Sequence, residues 1–255
     1  KKIKVSGSYF FNGSDNVTAT DITRNYFTQA DSSNVYHEYD DATVSNFNHR
    51  SNLRMEYTID SSNSIIFTPG VSFQKNNTVS NAVADNSIAG LLTSTTNNRS
   101  TSDNIGYSSN NNLLYQHKFG KPRRTISLNL SNSLNEKTGD GTYTSSNHFY
   151  TPADSIYSLN QQSDLYNKGN TFSGNVTYTE PVGKKGQIMA NYNPSYSNSS
   201  ADKETFNQNL TTQQYTDLDP RYSNKYENTY ITQKGGLSYR IGERKLNSKF
   251  GANVQ

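Results

Sequence analysis

The chain is 255 residues long, enough for a sizeable core, yet only 31% of its residues are apolar and its mean hydropathy is -0.90. A soluble globular domain carries about half apolar residues, while a disordered chain would lack the 19 Tyr and 11 Phe found here. The absence of Cys removes disulfide frameworks, thiolate metal sites and cysteine nucleophiles; the net charge of +3 does not point to nucleic acid, and no apolar run reaches the length of a transmembrane helix.

The dominant signal is strict alternation, the mark of a strand with two different faces. Ile3, Val5, Gly7, Tyr9 and Phe11 open the chain on this rule. Leu53, Met55, Tyr57 and Ile59 follow, with Arg54, Glu56 and Thr58 between them. Past Ser61 the pattern resumes at Phe67, Pro69, Val71 and Phe73. The next pair is Leu113, Tyr115, His117 and Phe119, then Ile126, Leu128 and Leu130. A third runs through Phe172, Gly174, Val176 and Tyr178, then Ile188, Ala190, Tyr192, Pro194 and Tyr196. The last runs through Ile231, Leu237, Tyr239 and Ile241, then Leu246, Phe250, Ala252 and Val254. This predicts about nine antiparallel strands in up-and-down order, most of a length to cross a bilayer at a tilt.

Tight turns are expected near Ser61, Pro122, Lys184 and Glu243, at a spacing of roughly sixty residues. Alternating with them are residues 12–43, 77–106, 137–169 and 199–227, rich in Asn, Ser, Thr and Asp, which read as long loops. Such loops are rare in compact soluble domains. Outer-membrane barrels combine short periplasmic turns with long extracellular loops. Charge follows the same polarity. Lys1, Lys2, Lys4, Lys118, Lys121, Arg123, Arg124, Lys184, Lys185, Arg244 and Lys245 sit at the turn end, whereas Asp15, Asp21, Asp31, Glu38, Asp40, Asp41, Asp202, Glu204, Asp217 and Asp219 lie in the long segments. Tyr57, Phe119, Tyr178 and Tyr239 precede the turns, and Phe11, Phe73 and Tyr196 mark the far ends, as two aromatic girdles would.

The reading is an all-β, antiparallel transmembrane barrel wall, with residues 1–255 forming part of one barrel domain. In hydrocarbon every backbone polar group needs a partner, so such a sheet must close. Single-chain bacterial barrels have an even strand number. Nine strands are therefore expected to be an excerpt truncated at both ends, with signal peptide and plug outside it. Leu53, Met55, Tyr57, Val71, Phe73, Leu128, Val176, Tyr178, Tyr192, Leu237 and Phe250 are expected to face lipid. Arg54, Glu56, Gln116, Asn175, Asn191, Asn193, Lys234 and Arg240 are expected to face the lumen, where amide and charged groups solvate a passage or pack on a plug.

Three stretches carry a resemblance: Tyr178-Thr-Glu-Pro-Val-Gly-Lys-Lys-Gly186, Ala190-Asn-Tyr-Asn-Pro-Ser-Tyr196, and Tyr222-Ser-Asn-Lys-Tyr-Glu-Asn228 leading to Gly236-Leu-Ser-Tyr-Arg240. They resemble the outer-membrane β-barrel domain of TonB-dependent-receptor-like proteins. The resemblance implies nutrient uptake across the outer membrane, with a plug domain, an energy-coupling periplasmic protein and a surface lipoprotein as partners, beside outer-membrane lipid itself. The plug and the energy-coupling box have no counterpart in these residues.

No catalytic, cofactor or metal constellation emerges, and no enzymatic activity is expected. His37-Glu-Tyr-Asp-Asp41 offers metal-ligating side chains, but a solvated acidic segment accounts for it. Thr138-Gly-Asp-Gly-Thr142 resembles a calcium loop without the later ligands, and Asp217 and Asp219 before Pro220 read as turn chemistry. Two other readings stay open: a non-transporting surface barrel acting as adhesin or scaffold, and a soluble secreted β-sheet protein.

Overall fold

A computed structural model describes residues 2–26, 33–242 and 247–255. The expected turn near Glu243, the start of the last strand at Leu246, and Lys1, Asp31, Arg244 and Lys245 lie outside them. The described residues form ten strands and no helix: β1 (Lys2–Tyr26), β2 (Asn34–Thr58), β3 (Asn63–Ile88), β4 (Leu91–Lys118), β5 (Thr125–Phe149), β6 (Ser155–Val182), β7 (Gly186–Gln208), β8 (Tyr215–Leu218), β9 (Asn224–Gly242) and β10 (Asn247–Val254). All pairs are antiparallel. Nine strands make one up-and-down meander, β1 to β7, then β9 and β10. The tenth, β8, is a four-residue strand pairing with the far end of β7, and nothing in the hydrophobic pattern announced it. The sheet is open, with β1 and β10 at its edges.

The turn chemistry is legible locally. At the β2–β3 turn Asp60 Oδ1 accepts from the backbone amides of Ser62 (2.7 Å) and Asn63 (2.8 Å). The side-chain amide of Asn63, foremost, holds that carboxyl below its ordinary value. At the β6–β7 turn Gly183 takes a left-handed φ of 61°.

The long segments expected to be loops are mostly strand, which corrects the sequence reading. β3 and β4 run on to a two-residue turn, Ala89-Gly90, with φ of 50° and 77°. Two positive φ values match the twist of a tight hairpin. β5 and β6 are joined by residues 150–154 only, and the longest connection, 209–223, contains β8. The physical reason is that alternation fades once both faces turn polar, whereas pairing does not. The backbone ladder continues, and short polar side chains bond across it: Asn76 to Asn46 (2.7 Å), Asn81 to Asp41 (3.0 Å), Thr96 to Asn147 (2.7 Å) and Thr101 with Thr142 (2.6 Å).

The register fixes a stagger. One hydrogen-bonded row crosses eight strands through Phe11, His49, Phe73, Tyr107, Glu136, Lys168, Ser200 and Glu227. From this row the turn-side end of β2 lies nine residues away at Thr58, and that of β9 fifteen residues away at Gly242. Those six residues of stagger accumulate over six interstrand steps, one per strand. At ~3.3 Å per residue and ~4.8 Å per strand, level turns require strands tilted by about 35°.

There is almost no interior. Ala84 and Pro181 are the buried apolar side chains among the residues described, and the principal contacts between elements are between hydrogen-bonded neighbours.

Candidate functional site

Register parity sorts the side chains onto two faces. Leu53, Met55, Tyr57, Val71, Phe73, Leu128, Val176, Tyr178, Tyr192, Leu237 and Phe250 all fall on one face, as the pairs Met55–Phe67, Leu128–Val176, Val176–Tyr192 and Phe250–Tyr239 show. They belong to an apolar belt that occupies residues 65–73 of β3, 126–134 of β5 and 188–196 of β7. Many are exposed, Leu237 by 60% and Phe250 by 67%. The belt is bounded at its far edge by charge. Lys75 pairs with Asp103 at 3.1 Å, and Glu136 stands opposite Lys168. Phe11, His49, Phe73 and Tyr107 share one row at that edge, with the rings of Phe11 and His49 4.7 Å apart. His49 was not singled out in the sequence, although its phase relative to Leu53 places it there.

Arg54, Glu56, Gln116, Asn175, Asn191, Asn193, Lys234 and Arg240 fall on the opposite face. That face curves around an open cavity of about 900 Å³, walled by side chains of β1 to β6 that include Ser6, Arg50, Asn52, Arg54, Ser72, Ser108, Asn110, Ser131 and Ser173. Of the eight expected lumen residues only Arg54 lines it. Glu56 and Gln116 lie turnward, and Asn175, Asn191, Asn193, Lys234 and Arg240 lie toward β6–β9. Arg54 reaches Glu56 at 2.6 Å and Asn175 bonds Asn193. Arg50 lies ahead of the alternation that opens at Leu53, and extending the phase of Arg54 by four residues reaches it.

A second cavity of about 540 Å³ lies on the same face toward the far ends, lined by Asn104, Tyr143, Leu159, Gln161, Lys203 and Tyr222. Its floor includes Gly139 and Gly141, so Thr138-Gly-Asp-Gly-Thr142 is mid-strand and not a loop. A Cβ at Gly141 would lie 2.7 Å from the Thr101 carbonyl oxygen, a contact only glycine avoids. The acidic run in β2 is likewise split by the pleat. His37, Tyr39 and Asp41 stand on the belt face and Glu38 and Asp40 on the polar face, so the five do not converge on one point.

Two polar nodes brace the ends of the sheet. At the turn end Glu180 accepts from Arg124 Nε (2.6 Å) and Nη2 (2.8 Å), from Lys121 Nζ (2.6 Å) and from the Tyr178 hydroxyl (2.7 Å). Arg124, then Lys121, hold its carboxyl well below the usual range. Arg123, at φ 70°, donates to the Lys184 and Gly186 carbonyls at 3.2 and 3.3 Å. At the far end Asp219, 2% exposed, accepts from Arg221, Asn207 and Gln161. Arg221 foremost lowers its carboxyl to about 2.

The described chain is thus an open antiparallel wall with an apolar belt on one face and a concave polar surface on the other. No family model matches it, and neither does any curated protein. Among solved structures it is similar to the ferric-catecholate import receptor Fiu from E. coli K12 in its closed form, at 7% identity and a TM-score of 0.33. The match covers 97% of this chain and 49% of that one, so the chain spans about half the length of that structure. At that score the likeness has no weight for function.

Proposed function

We propose that the chain is part of the wall of a bacterial outer-membrane β-barrel domain that serves uptake of a polar nutrient, in the manner of TonB-dependent-receptor-like transporters. The observation that carries this reading is the belt. Nine residues at ~3.3 Å each, tilted by about 35°, stand about 24 Å tall, against ~25 Å for the apolar band of transmembrane barrels. The tilt also agrees with the 35–45° of such barrels. A face of exposed Leu, Val, Phe and Tyr without an interior behind it needs an apolar solvent, and hydrocarbon supplies one. In this arrangement the tight turns are periplasmic and the polar face looks into the lumen, where its Ser, Asn and Arg side chains solvate a passing solute or pack on a plug. The plug, the energy-coupling periplasmic protein and the surface lipoprotein belong to this reading as partners. The sequence motifs, rather than the geometry, favour a transporter over a surface scaffold. The test is folding with and without lipid. A protease-resistant, heat-modifiable form should appear only with vesicles or detergent; stable cooperative folding in plain buffer would overturn the proposal.

A further inference from the structure

We infer that the cations of two neighbouring turns, β4–β5 and β6–β7, form a plate that binds the headgroup of an anionic phospholipid; the inference rests on the membrane reading above. Lys121, Arg123 and Arg124 lie in the first turn and Lys184 and Lys185 in the second, against one carboxylate, Glu180. Even without Lys185 the balance is three positive charges. Glu180 shares the belt face with Ile188, its register partner, so the cations it gathers are presented on the apolar side of the wall and not toward the polar cavity. The order of groups along the strands then matches the profile of a bilayer leaflet. Val176 stands in the belt, the Tyr178 and Phe119 rings follow, 6.3 Å apart and edge to face, and the cations come last. Aromatic rings favour the interface, and basic groups the phosphates just beyond it.

Three of these cations are also held in place before any ligand arrives. Lys121 and Arg124 share Glu180, and Arg123 ties its turn to the backbone of the next at Lys184 and Gly186. A guanidinium in a residue at φ 70° is an unusual choice for a turn, since glycine or asparagine would adopt that φ with less strain. The bridge to the neighbouring turn explains it. The β2–β3 turn, by contrast, carries Asp60 and no cation of its own.

The experiment reconstitutes the whole barrel protein that carries this wall in phosphatidylcholine vesicles containing trace spin-labelled phosphatidylglycerol or spin-labelled phosphatidylcholine. Electron spin resonance then compares how much of each label the protein immobilises. Phosphatidylglycerol should be preferred. Lys184→Gln, and the double variant Lys121→Gln with Lys184→Gln, should lower the preference by up to about fivefold per cation removed, while Lys184→Arg retains it. The heat-modified mobility of each variant checks that it still folds. Equal immobilisation of both labels, or a preference unchanged in the double variant, overturns the headgroup site and leaves the membrane reading standing. No immobilised component for either label overturns both.

Discussion

Asp219 is nearly sealed from water and still charged, because three side chains and a backbone amide converge on it. Its role is to pin the 209–223 connection against β7, where Thr205 is buried at 3% exposure and takes the Asp219 amide on its carbonyl oxygen at 2.7 Å. The sign of the pH dependence follows from the lowered carboxyl. A depressed folded-state value contributes stability that is complete above the unfolded value near ~4, and this is lost as pH falls toward about 2. Amide exchange at Thr205 and Tyr222, corrected for intrinsic rates, should therefore be flat from pH 8 to pH 5 and rise only below about 4. Asp219→Asn should produce at pH 7 the loosening that acid produces in the wild type, on the order of tenfold faster local exchange. Loosening of the wild type between pH 7 and pH 5 would show that another group governs this corner.

At the scale of the element, the hairpins reach well past the belt. β3 continues 13 residues beyond its boundary at Lys75 before it turns at Ala89. Native-state hydrogen exchange should find the amides of residues 77–88 and 91–105 protected as paired strand, by at least about a hundredfold over an unstructured chain. Random-coil rates there would restore the loop reading. This is also where sequence and structure part company. Strands were legible wherever one face was apolar, since Leu128, Leu130 and Leu134 declare a period of two at sight. The face partition was legible for the same reason, because antiparallel pairing preserves parity from strand to strand. Stretches such as 94–104 hide their period, with Ser, Thr and Asn on both sides of the pleat. Their pairing depends on partners such as Asn147 and Thr142, which lie more than forty residues away. Asp219 is the turn residue its place before Pro220 predicts, taking the Arg221 amide on Oδ1 and the Tyr222 amide on its carbonyl, but its burial is hidden for the same cause: two of its donors, Gln161 and Asn207, belong to distant strands. The Glu180 node was inside a quoted motif, yet its cations come from a turn more than fifty residues earlier.

At the scale of the whole molecule, the belt and the tilt make a joint statement that neither makes alone. The belt says that one face needs apolar surroundings; the tilt assigns each belt residue a depth within them. On β6 and β7 the register pair Val176–Tyr192 falls at mid-belt, and Asn170–Asn198 falls just past the far edge. A cation at the middle of a bilayer on the outer face of a barrel costs about 2–4 kcal/mol, falling to about 0–1 near the interfaces. Val176→Arg should therefore cost about 2–4 kcal/mol of folding stability in vesicles, and Asn170→Arg about 0–1. Asn175→Arg, beside Val176 but on the polar face, should cost little. Denaturant titration of the three variants in lipid measures all of these. A sheet packed against another protein would also reject Val176→Arg, so that variant alone does not discriminate. The depth profile does, because protein packing has no reason to follow a height computed from strand stagger. Arginine scanned down the belt face of β6 and β7 should give one smooth curve when plotted against tilt-corrected depth, with its maximum at Val176 and Tyr192. A scatter governed by side-chain size and not by depth would remove the bilayer from the account.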